Sequence, residues 1–257
     1  MPENEFNLLN SVMGDGIQKD KEIGVSTLAF DSHEELLWAG TKSGHVTSYY
    51  GTQLQKYTSF QVHPTDEVRN ILTSDQGILA LTNTSLRSQI RRGIPVFTHT
   101  SENMTDMHSI LFNSRNGRIL MGGMQENLIE FDLTTTRETK VESIGVGGSC
   151  AILRDHSRFV CCGDAASGKI HLRDPLNLKV THTLDTNTGV LSDFDVHGHH
   201  LVTCGQSLRH GGVPQPDRFL MVYDLRVRLK ENMYSDGQKN VVKGCARRIF
   251  NHATFGI

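Results

Sequence analysis

The sequence predicts an all-β protein built from repeats, and regularly spaced glycines are the first observation. Gly40, Gly122, Gly163 and Gly205 each end an apolar strand, at intervals of 82, 41 and 42 residues. The first interval covers two repeats, and its midpoint falls at Leu81 in another apolar strand. A period near 41 residues matches the roughly 40–45 residues of a four-stranded propeller blade. We therefore predict a WD-repeat β-propeller with about five visible blades.

Short apolar runs separated by turn residues place the strands of each blade. Blade one is predicted at Ser26–Phe30, Leu36–Ala39, His45–Tyr50 and Leu54–Phe60. Blade two is predicted at Val68–Ser74, Gly77–Thr82, Arg87–Arg92 and Ile94–Thr98. Blade three is predicted at Met107–Asn113, Arg118–Gly122, Asn127–Asp132 and Arg137–Ile144. Blade four is predicted at Ser149–Asp155, Arg158–Cys162, Lys169–Asp174 and Lys179–Leu184. Blade five, which lacks an outer strand, is predicted at Leu191–Val196, His200–Cys204 and Arg218–Asp224.

The ends of the third strands carry the strongest local signal. Three of them read Phe131-Asp132, Arg173-Asp174 and Tyr223-Asp224, where a WD repeat has its Trp-Asp pair. We expect the first side chain to pack between blades and the aspartate to accept hydrogen bonds from the following turn. Blade one has Tyr49-Tyr50 at this position, and blade two is degenerate.

The predicted organisation has three parts. Residues 1–24 form an N-terminal segment whose candidate strand, Phe6–Met13, either completes a last blade or is a frayed terminus. Residues 25–227 form blades one to five. Residues 228–257 form a divergent basic tail with six Lys or Arg and two acids, interpreted as solvated chain or one helix in preference to a nucleic-acid patch.

Composition restricts the classes of function. A net charge of −2 recruits neither nucleic acid nor an anionic membrane globally. The first 24 residues lack the apolar region of a secretory signal, and no stretch reaches the length of a membrane span. Five scattered cysteines do not suggest a disulfide framework. We expect a cytoplasmic protein with reduced thiols and no membrane partner.

Two clusters of metal-ligating residue types are interpreted as structural. His197-Gly198-His199-His200 is predicted to be a polar hairpin turn, because neighbours in a strand diverge and zinc requires three or four convergent ligands. Cys161-Cys162 also diverge within one strand and lack the C-x-x-C spacing, so we interpret them as small core residues.

Two further motifs resemble catalytic or cofactor sites only in part. Gly145-Val146-Gly147-Gly148 is followed by Cys150 where a dinucleotide loop needs glycine, so it is predicted to connect blades three and four. Asp193 and Asp195 share one strand face like paired catalytic acids, but a structural role is favoured. We therefore predict no catalytic, cofactor-binding or metal-binding residue in this chain.

Two basic loops are candidates for recognition. Arg91-Arg92-Gly93 is one, and Arg209-His210-Gly211-Gly212 is the other. The second lies in the insertion Gln206–Asp217, which is longer than a simple hairpin requires. Because long loops on rigid scaffolds often carry binding, this insertion is the preferred recognition element.

Four peptides resemble a known family. His45–Gly51, Leu54–His63, Leu191–Gly198 and Asp217–Arg226 are similar to the N-terminal propeller of the catalytic subunit of the poly(A)-nuclease deadenylation complex. The similarity runs from about Gly24 to Arg226. That propeller has seven blades, so the resemblance implies that about five of an expected seven are visible and that the propeller is incomplete.

The resemblance implies a cytoplasmic protein that takes part in shortening mRNA poly(A) tails. Its implied partners are a pseudokinase-like regulatory subunit and, through the complex, poly(A)-RNA with poly(A)-binding protein. The family's nuclease activity and its divalent metal belong to an exonuclease domain that is not visible here, so this chain is expected to be non-catalytic and to need no cofactor.

Two alternatives stay open at this point. One is a generic WD-repeat scaffold without a link to RNA decay. The other is an enzyme with a site in the propeller's channel, for which only His108, Asp193 and Asp195 are candidates.

Overall fold

The computed structural model describes residues 24–186, 189–209, 213–216, 220–226, 241–242 and 247–249. The strands within these ranges form five sheets, and none of the residues described there is helical. The chain divides into two compact units, Met1–Ile110 and Leu111–Ile257. The predicted all-β class and the five visible blades are confirmed as five sheets of four or five strands.

The first unit contains blades one and two, each a sheet of four consecutive antiparallel strands. The strands of blade one are β1 (Val25–Phe30), β2 (Leu36–Thr41), β3 (His45–Tyr50) and β4 (Gln55–Gln61). The strands of blade two are β5 (Val68–Thr73), β6 (Ile78–Thr82), β7 (Leu86–Gln89) and β8 (Pro95–His99).

Blade three begins at the boundary between the units, and blades four and five lie in the second unit. The strands of blade three are β9 (Met107–Asn113), β10 (Arg118–Gly123), β11 (Asn127–Asp132) and β12 (Arg137–Ser143). Those of blade four are β13 (Ile152–Asp155), β14 (Val160–Asp164), β15 (Lys169–Arg173) and β16 (Val180–Asp185). Those of blade five are β17 (Val190–His197), β18 (His200–Arg209), β19 (Val213–Pro216), β20 (Leu220–Asp224) and β22 (Arg247–Ile249). The short strand β21 (Val241–Val242) pairs in parallel with β16 of blade four.

An apolar core joins the two blades of the first unit. Trp38 of β2 is fully buried, and its ring centroid lies 6.2 Å from that of Phe60 on β4. Val68 and Ile71 of β5 and Ile78 of β6 complete this core from blade two. Each isolated sheet would expose this face to water, so packing one blade on the next provides the main stabilisation of both.

Blade four is apolar on both faces, because it is packed between blades three and five. Neighbouring residues of β14 show this directly: Cys161 belongs to the core shared with blade five, and Cys162 to the core shared with blade three. The interpretation of these cysteines as core residues is confirmed. Burial raises the pKa of the Cys161 thiol to about 12, so it is a weak nucleophile.

The glycines that define the repeat mark close approach of the next blade. A Cβ at Gly40 would lie 2.7 Å from a methyl group of Val68 on blade two. A Cβ at Gly163 would lie 2.7 Å from the Phe194 ring on blade five, and one at Gly122 would overlap the backbone oxygen of Cys150. A glycine recurs at these positions because the next blade leaves no space for a side chain.

The predicted aspartates after the third strands cap the turns that follow. Asp132 accepts a hydrogen bond of 2.8 Å from the amide of Thr134. Asp174 accepts 2.9 Å and 3.0 Å bonds from two amides of its turn, and Asp224 accepts a 2.9 Å bond from Arg226. The preceding Phe131, Arg173 and Tyr223 are all buried, so this part of the prediction is confirmed.

The turn between the third and fourth strands repeats a left-handed residue. Leu54, Thr136 and Leu178 have positive φ angles of 49°, 53° and 61°, each just before the fourth strand, and Gly93 has 86° in the matching turn of blade two. A left-handed conformation is costly for residues other than glycine. Its recurrence shows that the same turn geometry is imposed on every one of these blades.

Several predicted boundaries differ from the structure; for example, β13 begins at Ile152 rather than Ser149, and β18 runs to Arg209 rather than Cys204. β7 spans Leu86–Gln89 rather than Arg87–Arg92, because Ile90–Gly93 form a turn that the Gly93 amide closes on the Ile90 carbonyl at 2.8 Å. The segment after residue 227 was expected to lack strands, but Arg247–Ile249 pairs with β20 as the outer strand of blade five. Strands of two or three residues are too short for periodicity to reveal. The candidate strand Phe6–Met13 lies outside the described residues.

Gly122→Ala tests the close approach of blades three and four. The new methyl group would overlap the backbone of Cys150, so we expect a loss of about 2 kcal/mol in the free energy of unfolding. Gly24→Ala is the control, since a Cβ there meets Lys42 at 3.7 Å, an ordinary contact. Urea unfolding of both variants provides the comparison, and equal stabilities would contradict the proposed contact.

Candidate functional site

A buried ion pair between Asp31 and Arg91 organises one end of the first unit. The Nε and Nη2 atoms of Arg91 donate to the two carboxylate oxygens of Asp31 at 2.9 Å and 2.8 Å. The same guanidinium donates to the backbone oxygens of Ser74 at 2.6 Å and Asp75 at 2.8 Å. Arg91 therefore ties the β1–β2, β5–β6 and β7–β8 turns together, and the bidentate geometry fixes their relative positions.

Asp31 also fixes the turn in which it lies. Its carboxylate accepts the amides of His33 at 2.9 Å and Glu34 at 3.1 Å, and the indole nitrogen of Trp38 donates to it at 3.0 Å. The Asp31 side chain is 0% exposed. Burial alone would raise the pKa of Asp31, but the hydrogen bonds from Arg91, Trp38 and the two amides outweigh it and lower the pKa to about 2.

These turns enclose an open cleft of about 780 Å³ at the same end of blades one and two. We call it the Glu35 cleft. Its lining residues are Glu34, Glu35, Leu36, Tyr50, Gly51, Tyr57, Gln76, Ile90, Arg91 and Arg92. A smaller depression of about 390 Å³ shares the residues from Glu34 to Leu36 and Gly51 with it. Cavities of this size accept small molecules or short peptide segments.

The free charges of the Glu35 cleft are two carboxylates and one guanidinium. Arg91 is neutralised by Asp31, whereas Glu34, Glu35 and Arg92 are exposed and form no ion pair with another described residue. The predicted basic loop Arg91-Arg92-Gly93 thus separates into a structural arginine and an arginine on the cleft wall. Sequence reasoning missed Glu34 and Glu35, since nothing local distinguishes them from other exposed acids.

The structure places the other predicted motifs in structural roles. His197–His200 forms the hairpin turn between β17 and β18, with Gly198 at a φ of 56°. Within the described ranges, no three His, Cys, Asp or Glu side chains are placed to hold a metal ion. The Gly145–Gly148 motif connects β12 to β13, as predicted, and the Gly147 amide donates to Glu126 at 2.7 Å.

The paired aspartates of β17 form ion pairs with blade four. An oxygen of Asp193 lies 2.9 Å from Nη2 of Arg154, and an oxygen of Asp195 lies 3.6 Å from Nε of the same arginine. The Arg154 guanidinium also lies 5.8 Å from the centre of the Phe194 ring. Both aspartates therefore face an arginine of the neighbouring blade, and their structural role stays a prediction. Nε2 of His108, on β9, lies 3.1 Å from a carboxylate oxygen of Asp106, which immediately precedes that strand.

The insertion Gln206–Asp217 is a hairpin extension of blade five. β18 continues to Arg209 and pairs with β19, from Gln206 opposite Pro216 to Arg209 opposite Val213. Residues 210–212 in the middle of the loop and Asp217 at its end lie outside the described residues. Its role in recognition stays a prediction.

Comparisons with known proteins decide the family. A family model described as PAN2 N-terminal matches residues 9–234. The chain belongs to the PAN2 family. The PAN2-PAN3 deadenylation complex catalytic subunit PAN2 of Gallus gallus is 45% identical over 208 residues, which cover 80% of this chain and 17% of that protein. The Homo sapiens protein of the same name is 44% identical over the same shares. This chain therefore spans about a sixth of the length of these PAN2 relatives.

Solved structures agree with the family and the fold. The Neurospora crassa Pan2 WD40 domain is 29% identical, with a TM-score of 0.71 over 79% of this chain and 63% of that chain. A chain of the Mitotic Checkpoint Complex is 12% identical, with a TM-score of 0.66 over 80% of this chain and 62% of that chain, and supports the fold alone. The predicted resemblance to the deadenylase catalytic subunit is confirmed, and a scaffold unrelated to this family is not supported.

Asp31→Asn tests the ion pair at the base of the Glu35 cleft. The pKa of Asp31 is about 2 when folded, and about 3.9 when unfolded. The ionised carboxylate therefore stabilises the fold fully above the unfolded pKa, and this stabilisation is lost as pH falls through the folded pKa. We expect Asp31→Asn to cost on the order of 2 kcal/mol at neutral pH and to weaken the acid dependence of stability.

The measurement is urea unfolding at several pH values, followed by the fluorescence of Trp38, the only tryptophan. Asp195→Asn is the control, because that side chain is 83% exposed and should change little. Identical acid profiles for wild type and Asp31→Asn would contradict the assigned role.

Proposed function

We propose that this chain is a non-catalytic docking region of a deadenylase catalytic subunit and takes part in shortening mRNA poly(A) tails in the cytoplasm. The observation that carries the proposal is 45% identity over 208 residues to a protein named as catalytic subunit of the PAN2-PAN3 deadenylation complex. That similarity covers the WD-repeat blades of this chain. In this proposal the chain acts as a docking platform that holds other components of the complex close together.

The arrangement of side chains supports docking rather than catalysis. The paired acids at Asp193 and Asp195 are engaged by Arg154, and the buried Asp31 is engaged by Arg91. The divalent metal that the family's nuclease implies does not fit the described residues, because they bring no three potential ligands together. No step of hydrolysis is therefore assigned to these blades.

The proposed partners follow from the family. The first is the pseudokinase-like subunit of the complex, a PAN3-type protein, and the second is poly(A)-RNA with poly(A)-binding protein, reached through the complex. A platform that binds such partners raises the effective concentration of the RNA–protein substrate near the nuclease. The blades suit this role, since each is a sheet that presents turns at its ends, where binding residues commonly lie. Among the residues that the structure describes, there is no helix that could span a membrane.

Co-purification tests the proposal. The full chain, carrying an affinity tag, is expressed in cells together with the PAN3-type protein of the same organism. We expect the PAN3-type protein to be retained above the level seen with an unrelated WD-repeat protein. The purified chain is then incubated with poly(A) and Mg²⁺, where we expect no shortening while a complete PAN2 protein shortens the same RNA.

Retention equal to that of the unrelated WD-repeat protein would count against the docking function. Shortening of poly(A) by the chain alone would show that the catalytic assignment is wrong. The two readouts are separate, so either half of the proposal can fail without the other.

A further inference from the structure

The Glu35 cleft is lined in part by charged side chains that do not help to hold the blades together. Arg91 lines the cleft and pairs with the buried Asp31 behind it, and this neutralised pair, which we call the base of the cleft, holds the turns together. The backbone amide of Glu34 belongs to that network, and the Glu34 charge acts on Arg91 at longer range. The side chains of Glu34, Glu35 and Arg92 form no ion pair with another described residue, yet all three border the same open space. The Asp31–Arg91 pair is accounted for by its role in holding the turns together. The exposed charges on the walls of the cleft have no such structural role.

The apolar part of the walls suits a peptide side chain. Tyr50 and Tyr57 line the cleft with 44% and 47% of their surface exposed, and Leu36 and Ile90 are half-buried beside them. Tyrosine is enriched where proteins bind each other, because it offers a large rigid contact area at a low cost in conformational entropy. The Tyr50 hydroxyl donates to the side-chain oxygen of Gln55 at 2.5 Å.

The charged residues that line the cleft favour a partner with a positive charge. Glu34 and Glu35 are consecutive carboxylates on one turn, and the backbone of that turn is held by the Asp31 carboxylate. Two like charges this close repel each other, and a cation placed between them relieves the repulsion. Arg92, on the β7–β8 turn, offers donors to the carbonyl oxygens of an extended chain.

We propose that the Glu35 cleft docks an extended peptide of a partner protein, with a lysine or arginine against Glu34 and Glu35 and a neighbouring apolar side chain against Tyr50 and Tyr57. The charge and the aromatic surface together define this occupant. The inference rests on the proposed function only in treating these blades as a docking region. Because the Arg91 network fixes the cleft in advance, binding needs little reordering of the turns.

Other ligand classes fit the cleft less well. A phosphate-bearing nucleic acid would meet the two glutamates, whose charge repels it, and Arg91 is already neutralised by Asp31. A metal ion would find two carboxylates without a third ligand, since no group of three is present among the described residues. A peptide uses the carboxylates, the tyrosines and Arg92 at once.

The test is selection of random dodecapeptides displayed on phage against the full chain, followed by fluorescence anisotropy with the selected peptides. We expect the selected sequences to share a lysine or arginine next to an apolar residue. The variant Glu34→Lys/Glu35→Lys should weaken their binding by about tenfold or more. Glu34→Gln/Glu35→Gln, which keeps the shape of the turn, should weaken it by a smaller factor.

Glu102→Lys is the matched control, because it reverses an exposed acid outside the lining of the cleft, and its binding should stay within about twofold of wild type. Unfolding followed by Trp38 fluorescence verifies that each variant is folded. Failure to select peptides, selected peptides without a basic residue, or equal binding by the Gln and Lys variants and wild type would overturn the proposal.

The same variants separate this inference from the proposed function. If peptide selection fails while the chain still retains the PAN3-type protein, the cleft assignment falls and the docking function stands. If peptides bind as expected while the PAN3-type protein is not retained, the cleft assignment stands and the assigned partner is wrong.

Discussion

Close packing of one four-stranded sheet on the next is the constraint on which each unit depends. Its clearest trace is the recurring glycine at the end of the second strand. At Gly40 and Gly163 the next blade's side chains approach to 2.7 Å of where a Cβ would stand. Blade four, with Cys161 and Cys162 buried on opposite faces, shows that such a sheet can be apolar throughout when both neighbours are present. The glycine recurs with the period of the repeat because each blade packs closely against the next one at this position.

Polar interactions fix the conformations of the turns, which the apolar packing of the sheets does not determine. The aspartates at 132, 174 and 224 each satisfy amides of the adjacent turn, so every such turn is capped by its own strand. Asp31 and Arg91 act over a longer range and join the turns of two blades with a pair of short, buried hydrogen bonds. A buried pair of this kind contributes little net stability compared with apolar packing, but it is costly to break and it sets geometry. That geometry shapes the Glu35 cleft.

The features that sequence could predict are local or repeated. Asp132 and Asp174 bond within three residues of themselves, so their role follows from short-range chemistry, and the glycine period accumulates over several blades. Arg91 was predicted only as part of a basic loop, because its partner Asp31 is 60 residues away and the two meet through packing alone. Glu34 and Glu35 were missed because nothing in the local sequence distinguishes them from other exposed acids. Arg247–Ile249 was missed because three residues carry no periodicity.

Hydrogen–deuterium exchange across the full chain tests the assignment of blades most directly. Middle strands bonded on both sides and packed on both faces should exchange slowly, and turns should exchange fast. The result expected is strong protection of both middle strands of each repeat, with the protected segments of the second strand recurring at intervals near 41 residues. These segments are Leu36–Thr41, Ile78–Thr82, Arg118–Gly123, Val160–Asp164 and His200–Arg209. Protection that ignores this period, or second strands that exchange as fast as the turns beside them, would contradict the blade architecture.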